Sequence, residues 1–512
     1  MKKQTQKFAL SIVLGLLVIS SSSALAEETL PAPVGTDVNR PDAYLLKFQD
    51  GDAITANTNA YIRPSVVESS TTAIGGYATT LGNYKAVLPL CDEINKFGCI
   101  QKVEMRTSLD ATWEELIPGD KFWNSKIAAY TTTQAGIEST QFWSSWSGQG
   151  KSGLPPSGKV QLFNSSRHSH GGGNSYVVKA LMSGYESEPG SFTSTQFGLS
   201  VIPVQVLKYD PTSPGSREVF SVKNYRFPKN LEVRITIRLG NLFAQLNGWF
   251  FGRVKDAQLV MNANEKILTV SGRPSITPVQ HGFMPFPVPE KFKGSFFSGP
   301  DDKTGNLPVF LYSPSNSRSV ESWLKFREYL NPKANHESEV WQIDATSDSS
   351  YKVDGELKNC LKKKTGISGL LTTNATSYNS NPPTWNSKDS TLTYQVAGPE
   401  LLSDGTKNLG NYLLAIRSDV ASCLWKSDLK NARATVEVTN GDGSSGAQVA
   451  TTTMSQKNGW VYFTAAGFHF SAPSITVKLN PQKVMIIACI KGKTKKTVSG
   501  SNPKCPAGYK KS

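Results

Sequence analysis

The sequence predicts a mostly β protein, made of two β-sandwich or jelly-roll-like domains with one or two short helices and a small disulfide-closed C-terminal tail. Short runs of alternating apolar and polar residues indicate the strands. Frequent turn residues separate these runs, since the 512 residues include 42 glycines and 29 prolines. With 38% hydrophobic and 19% charged residues, the chain is too apolar for a disordered protein and long enough to bury sizeable cores.

The clearest strand is the run LEVRITIRL at residues 231–239. Its apolar residues alternate with Glu232, Arg234, Thr236 and Arg238, which predicts a strand buried on one face. The run SVESWLKFREYL at 319–330 predicts a helix. We expect the buried face of this helix to carry Val320, Trp323 and Leu324.

Changes in composition along the chain predict six segments. Alternating prolines at 285, 287 and 289 are typical of an extended connector and place the main domain boundary there. The predicted segments are a signal peptide (1–26), an extended lead-in (27–85), a first β-sandwich domain (86–278), a proline-rich linker (279–300), a second β-rich domain (301–480) and a basic, cysteine-pinned tail (481–512).

The first 26 residues have the layout of a secretory signal peptide. Lys2, Lys3 and Lys7 precede an apolar run from Phe8 to Ile19, and the sequence Ala-Leu-Ala ends at Ala26. The apolar run is shorter than the roughly 20 residues that a membrane-spanning helix needs. We therefore expect a secreted protein, extracellular or attached to the cell surface, without a transmembrane span after signal removal.

The basic charge of the chain is concentrated at its C-terminus. The formal net charge is +15, and nine lysines but no acidic residue lie between Lys478 and Ser512. This distribution does not favour nucleic-acid binding, which needs a basic face on a folded domain. It predicts contact with anionic polymers such as teichoic-acid phosphates or with membrane lipids, the alternative being a solubilising charged end. The predicted contact residues are Lys491, Lys493, Lys495, Lys496, Lys504, Lys510 and Lys511.

Export favours oxidation of the six cysteines to disulfides. The sequence alone does not select among their possible pairings. They nevertheless fall into three regional groups, which are Cys91 with Cys99, Cys360 with Cys423, and Cys489 with Cys505.

Motifs for catalysis or cofactor binding fail in their sequence context. The glycine patterns at 148–153 and 441–446 do not open a helix, so neither can hold a dinucleotide. Asp110, Glu114 and Glu115 are candidate carboxylates, but a sequence cannot show the separation that a glycosidase requires. We therefore expect no cofactor and assign no catalytic residue.

Two small clusters are candidate binding residues. Trp143 and Trp146 lie in a Ser/Gly-rich stretch, which is typical of a protein surface. Exposed tryptophans can stack on sugar rings, so these two are candidates for carbohydrate binding. The alternative is burial in a core or at a domain seam. His168 and His170 would face the same way on a strand and could share a metal ion. A solvent-exposed polar loop is the alternative for the histidines.

The tail CIKGKTKKTVSGSNPKCPAGYKKS resembles a C-terminal module of exported Gram-positive bacterial proteins. These uncharacterised proteins carry a C-x-K-G-K stretch followed by P-K-C-P-x-G-Y-K-K at the very end, and this chain differs by ending in Ser512. The resemblance extends over roughly residues 360–512. It implies an exported protein with a Cys489–Cys505 pairing, and it implies no activity. Residues 231–261 are similar in pattern to the last strands of concanavalin-type lectin sandwiches, without a sugar or calcium residue to carry over.

Together these features predict a secreted, non-enzymatic cell-surface or wall-associated protein that binds glycans or anionic envelope polymers. The alternative is a polysaccharide-active hydrolase or lyase on a β-sandwich scaffold. The sequence sets neither the ligand nor the oligomeric state.

Overall fold

The computed structural model of the chain consists mainly of strands. It describes residues 43–48, 59–62, 83–108, 110, 112–119, 130–134, 137–141, 154–156, 161–188, 191–209, 220–246, 248–285, 289, 310–312, 319–346, 355–361, 366–426, 429, 433–439, 450–470, 472–480, 485–492, 494–500 and 504–512.

The strands of the first half are β1 (Ala43–Phe48), β2 (Asn59–Ile62), β3 (Asn83–Val87), β4 (Cys99–Thr107), β5 (Glu114–Glu115), β6 (Ile117–Pro118), β7 (Tyr130–Gln134), β8 (Ile137–Gln141), β9 (Gln161–Asn164), β10 (Ser175–Glu188), β11 (Ser191–Tyr209), β12 (Phe220–Asn224), β13 (Leu231–Arg238), β14 (Gly248–Gly252), β15 (Val254–Asn262) and β16 (Ile267–Pro285). A short 3-10 helix, Gly240–Gln245, lies between β13 and β14.

The second half contains β17 (Phe310–Tyr312), β18 (His336–Thr346), β19 (Ile367–Thr373), β20 (Ser377–Tyr378), β21 (Thr384–Asn386), β22 (Thr391–Ala397), β23 (Leu409–Arg417), β24 (Arg433–Thr439), β25 (Thr451–Lys457), β26 (Trp460–His469), β27 (Ser474–Asn480), β28 (Met485–Lys491), β29 (Thr494–Gly500) and β30 (Lys510–Lys511). Its helices are α1 (Ser319–Phe326), α2 (Gly355–Leu361), α3 (Ser418–Trp425) and the 3-10 turn Arg327–Tyr329.

Three β-layers enclose two cores. The first layer pairs its strands in the order β5-β4-β13-β16-β15. The central layer runs β10-β11-β18-β14-β19-β23-β26-β25, and its one parallel pair is β14 with β19. The third layer contains β22, β27 and β24, with β20 and β21 paired to β22. The prediction of a mostly β fold is confirmed.

The first core lies between the first and central layers. Strand β13 contributes Leu231, Val233, Ile235 and Ile237, as its alternation predicts, and the central layer contributes residues such as Phe250. The second core lies between the central and third layers and includes Trp249, Phe251, Leu371, Leu414 and Val477.

Strands β14 and β19 of the central layer are buried on both faces, because successive side chains enter different cores. Phe250 and Leu370 belong to the first core, whereas Trp249 and Leu371 belong to the second. Where the two strands pair, a Cβ on Gly369 would lie 2.2 Å from the Trp249 ring, so only glycine admits the indole here. The two predicted sandwiches therefore share one sheet.

Within the predicted linker, the structure describes residues 279–285 and residue 289. Residues 279–285 continue strand β16 and pair with β18 and then with β1, a strand from the predicted lead-in. Pro278 has no N–H to donate, but its carbonyl accepts a 2.8 Å hydrogen bond from the Thr376 hydroxyl. Pro278 therefore lies within an extended strand, where the Thr376 side chain binds its carbonyl, and not in a free connector.

The predicted helix begins at Ser319 as expected, but its buried face differs. Val320, Trp323 and Phe326 pack in a third, smaller core with Leu46, whereas Leu324 is 41% exposed.

The three disulfides Cys91–Cys99, Cys360–Cys423 and Cys489–Cys505 are formed, so disulfide bonding of all six cysteines is confirmed. The second of these joins α2 to α3.

Candidate functional site

The C-terminal sheet is a small, separately hydrogen-bonded unit. Strand β28 lies in its centre and pairs with both β29 and β30 in antiparallel fashion. The Cys489–Cys505 disulfide links the central strand to the segment that leads into β30. A segment too small for a large core gains stability from such a loop closure, typically about 2–4 kcal/mol.

The strand register sets which lysines share a face of this sheet. Cys489 lies opposite both Lys496 and Lys511, while the next residue, Ile490, lies opposite Lys495 and Lys510. Directly opposed side chains of antiparallel strands project from the same face. The C-terminal sheet therefore carries lysines on both faces.

The two faces differ in what accompanies their lysines. On the face of Cys489, which is fully buried, the Nζ of Lys496 lies 5.3 Å from the centre of the Tyr509 ring. On the other face Ile490 is 39% exposed between Lys495 and Lys510. With adjacent strands about 4.8 Å apart, these two lysines flank an apolar side chain across the width of the sheet.

The lysines of the C-terminal sheet have no acidic neighbours in sequence and no ion pair within the described part of the chain. Their side chains lie at the surface, so their charges face solvent. Lys493 lies outside the described residues. The exposed residues of the predicted set are Lys491, Lys495, Lys496, Lys504, Lys510 and Lys511.

A second polar cluster lies at one end of the first core. Glu114 sits opposite Met105 in the register of β4 and β5 and so projects toward the core. One of its oxygens accepts hydrogen bonds from the backbone N–H (2.5 Å) and hydroxyl (2.7 Å) of Ser166, and the other accepts from the Ser165 hydroxyl at 2.7 Å. The carboxylate thereby fixes the loop between β9 and β10.

His168 lies in this loop and is buried, with 5% of its surface exposed. Its Nε2 lies 3.5 Å from Glu114 and 3.7 Å from Asp110. Two candidate carboxylates of the sequence thus meet a candidate histidine. Glu115, by contrast, is exposed on the opposite side of its strand.

Hydrogen bonding keeps both carboxyl groups ionised. Burial raises the pKa of Glu114, but the hydrogen bonds from Ser165 and Ser166 together outweigh it, so the pKa falls below its ordinary value of 4.5. The backbone N–H and hydroxyl of Thr107 lower the pKa of Asp110 in the same way. The hydrogen bonds from Ser165 and Ser166 make Glu114 an anchor for the loop between β9 and β10.

His168 and His170 have different partners. Their segment is a loop and not the strand on which the two side chains would face the same way. His170 Nε2 lies 2.9 Å from the Ser175 carbonyl oxygen, and its ring packs against Tyr176 and Tyr225. Among the described residues, no group of three or more histidine, cysteine or acidic side chains is arranged to hold a metal ion.

Replacing Glu114 by glutamine is expected to destabilise the fold at pH 7 by about 1–3 kcal/mol, because charged hydrogen bonds are lost. The folded-state pKa is lowered, so the contribution of the carboxylate exists at neutral pH and disappears as the pH falls below 4.5. Urea unfolding at neutral and acidic pH measures this. Glu115→Gln, at an exposed neighbour, is the control, and a deficit that does not change with pH would contradict the assignment.

Trp143 and Trp146 lie outside the described residues. No helix in the described part of the chain is long and apolar enough to cross a membrane. Comparison with models of known protein families, with characterised proteins and with solved structures found no match.

Proposed function

We propose that this protein is an exported, non-enzymatic cell-surface protein whose C-terminal sheet binds anionic polymers of the cell envelope. One observation carries the proposal: exposed lysines occupy both faces of a disulfide-closed sheet that contains no acidic residue. Closely spaced, unpaired cations attract phosphate-rich polymers and anionic lipid surfaces alike.

The geometry favours an attachment site over a merely solubilising end. A flexible lysine tail would lose conformational entropy when it bound a polymer. Here three strands and the Cys489–Cys505 disulfide already hold the lysines in place. Because the sheet is ordered before binding, less of the electrostatic attraction is offset by the cost of ordering the site.

Export is supported by two features. The described cysteines are all paired, with none left free, and disulfides persist in oxidising compartments. The N-terminal signal pattern of residues 1–26 lies outside the described residues and remains a prediction. The resemblance of the tail to exported Gram-positive proteins points to the same location. Glycan binding through Trp143 and Trp146 likewise remains a proposal.

Salt dependence tests the proposed function. Binding of the full chain to poly(glycerol phosphate) is measured by calorimetry as NaCl increases from about 0.05 M to about 0.5 M, a range over which screening shortens the reach of charges severalfold. We expect the affinity to fall steeply over this range and expect no binding to neutral dextran. Vesicles with and without anionic lipid separate a lipid surface from a polymer as the natural source of phosphate. Binding that ignores salt would refute an electrostatic site.

A further inference from the structure

The register of β28 with β29 and β30 divides the C-terminal sheet into two faces of different composition. Successive residues of a strand point to opposite faces, so Cys489 and Ile490 mark the two sides of β28. We call the side of Cys489 the cysteine face and the side of Ile490 the isoleucine face. Among the described residues, the three strands pair only with one another.

The cysteine face carries three exposed lysines around a covered centre. Lys496 and Lys511 lie opposite Cys489 on the two flanking strands. Lys491 follows two residues later on β28 and therefore points to the same side. Cys489 itself is fully buried, and the Tyr509 ring lies beside Lys496, 5.3 Å from its Nζ. All three lysines are exposed, so their charges surround this centre and face solvent.

The isoleucine face carries two exposed lysines around an apolar centre. Lys495 and Lys510 lie opposite Ile490 on the flanking strands. Both lysines are exposed, and Ile490 is 39% exposed between them, so the centre of this face also reaches solvent. The C-terminal sheet contains no acidic residue. Neither face therefore carries a carboxylate of its own that would neutralise its lysines.

The backbone of the sheet keeps the two groups of lysines apart. Stacked sheets lie about 10 Å apart, so ordinary side chains reach roughly 5 Å from the mean plane of a sheet. The ammonium groups of extended lysines on opposite faces are therefore separated by more than about 10 Å. At physiological ionic strength, charges are screened beyond about 8 Å. Anions on opposite faces would repel each other only weakly, whereas a single straight chain can contact the lysines of one face only.

We propose that the C-terminal sheet binds two phosphate-rich polymer chains at once, one on each face, and thereby cross-links them. This inference rests on the proposed function, because the same lysines make both contacts. Attraction between ammonium and phosphate groups depends on charge and distance more than on a fixed ligand geometry. Both faces therefore accept the same class of polyanion. The cysteine face, with three lysines, binds it more tightly than the isoleucine face, with two.

A two-step capture experiment tests for cross-linking. Poly(glycerol phosphate) is fixed to a biosensor surface, and the full chain is bound to it in about 0.05 M NaCl, where screening is modest. Fluorescently labelled poly(glycerol phosphate) then flows over the surface. We expect the labelled polymer to be captured only when the protein is present, because the polymer chains themselves repel each other. The amount captured per bound protein measures cross-linking.

Two variants with equal net charge assign this capture to the two faces. Lys495→Gln with Lys510→Gln removes both lysines of the isoleucine face, whereas Lys495→Gln with Lys496→Gln removes one lysine from each face. Each lysine contributes about fivefold in affinity. Capture of the second chain per bound protein should therefore fall about thirtyfold in the first variant and about fivefold in the second. Because these positions are exposed, the unfolding temperature should not change in either variant.

The possible outcomes separate cross-linking from the proposed function. Equal loss of capture in the two variants would show that only total charge matters, and it would overturn the division by face. A protein that binds the fixed polymer but captures no second chain, as when one chain wraps around both faces, would overturn cross-linking and leave the proposed function intact. Failure to bind even the fixed polymer would refute both.

Discussion

Replacing Lys495, Lys496, Lys510 and Lys511 together by glutamine is expected to weaken binding to poly(glycerol phosphate) about a thousandfold. A lysine near an anionic surface contributes about 1 kcal/mol, and four such contributions correspond to roughly three factors of ten in affinity. These four residues lie opposite Cys489 and Ile490 and so sample both faces of the C-terminal sheet. Calorimetric titration at low salt measures the loss.

A matched control separates local charge from total charge. Lys255, Lys358, Lys388 and Lys407 are exposed and lie outside the tail, and replacing them by glutamine lowers the net charge by the same amount. We expect this control to bind almost as well as the unaltered protein. Equal weakening in both quadruple variants would show that net charge, and not the C-terminal sheet, attracts the polymer.

Replacing Arg253 by methionine is expected to destabilise the fold by about 3–5 kcal/mol, because several buried carbonyl oxygens lose their hydrogen-bond donor. Only 1% of Arg253 is exposed. Its guanidinium donates to the carbonyl oxygens of Thr373, Ala375 and Thr376. Methionine fills similar volume but supplies no donor, so these buried carbonyls lose a partner.

Chemical unfolding measures this loss, with two further variants for comparison. Arg433→Met, at an exposed position of β24, should change stability by less than about 0.5 kcal/mol. Arg253→Lys should fall between the two, because a lysine keeps the charge but lacks the planar fork that reaches several carbonyls. A loss below about 1 kcal/mol in Arg253→Met would contradict the role of Arg253 as a tie between β14 and the segment after β19.

Local periodicity predicted some elements correctly and could not predict others. The strand at 231–239 was predictable because one face of β13 is buried and the other is covered by charged residues such as Arg234 and Glu232. Strand β14 of the central layer has no such alternation, since Trp249, Phe250 and Phe251 are all buried. Its continuous apolar run indicates burial but not the sharing of two cores.

The candidate sites also differ in how far the sequence alone could predict them. The lysine-rich sheet and its disulfide arise from residues close together in the sequence, so counting charges and cysteines was sufficient to find them. Glu114 and Ser165 are 51 residues apart. A buried carboxylate of this kind leaves no local pattern, so its role as a loop anchor had no signal in the sequence.

The sequence by itself determined that the chain forms mostly strands, that its cysteines group by region and that its positive charge collects at the end. These properties depend on neighbouring residues, because strand periodicity and charge density are local. Only the tertiary structure decided that two sandwiches share a central layer and that residues 279–285 extend a strand. These features depend on which strands pair with each other, and pairing between strands far apart in the sequence is set by the packing of the whole chain.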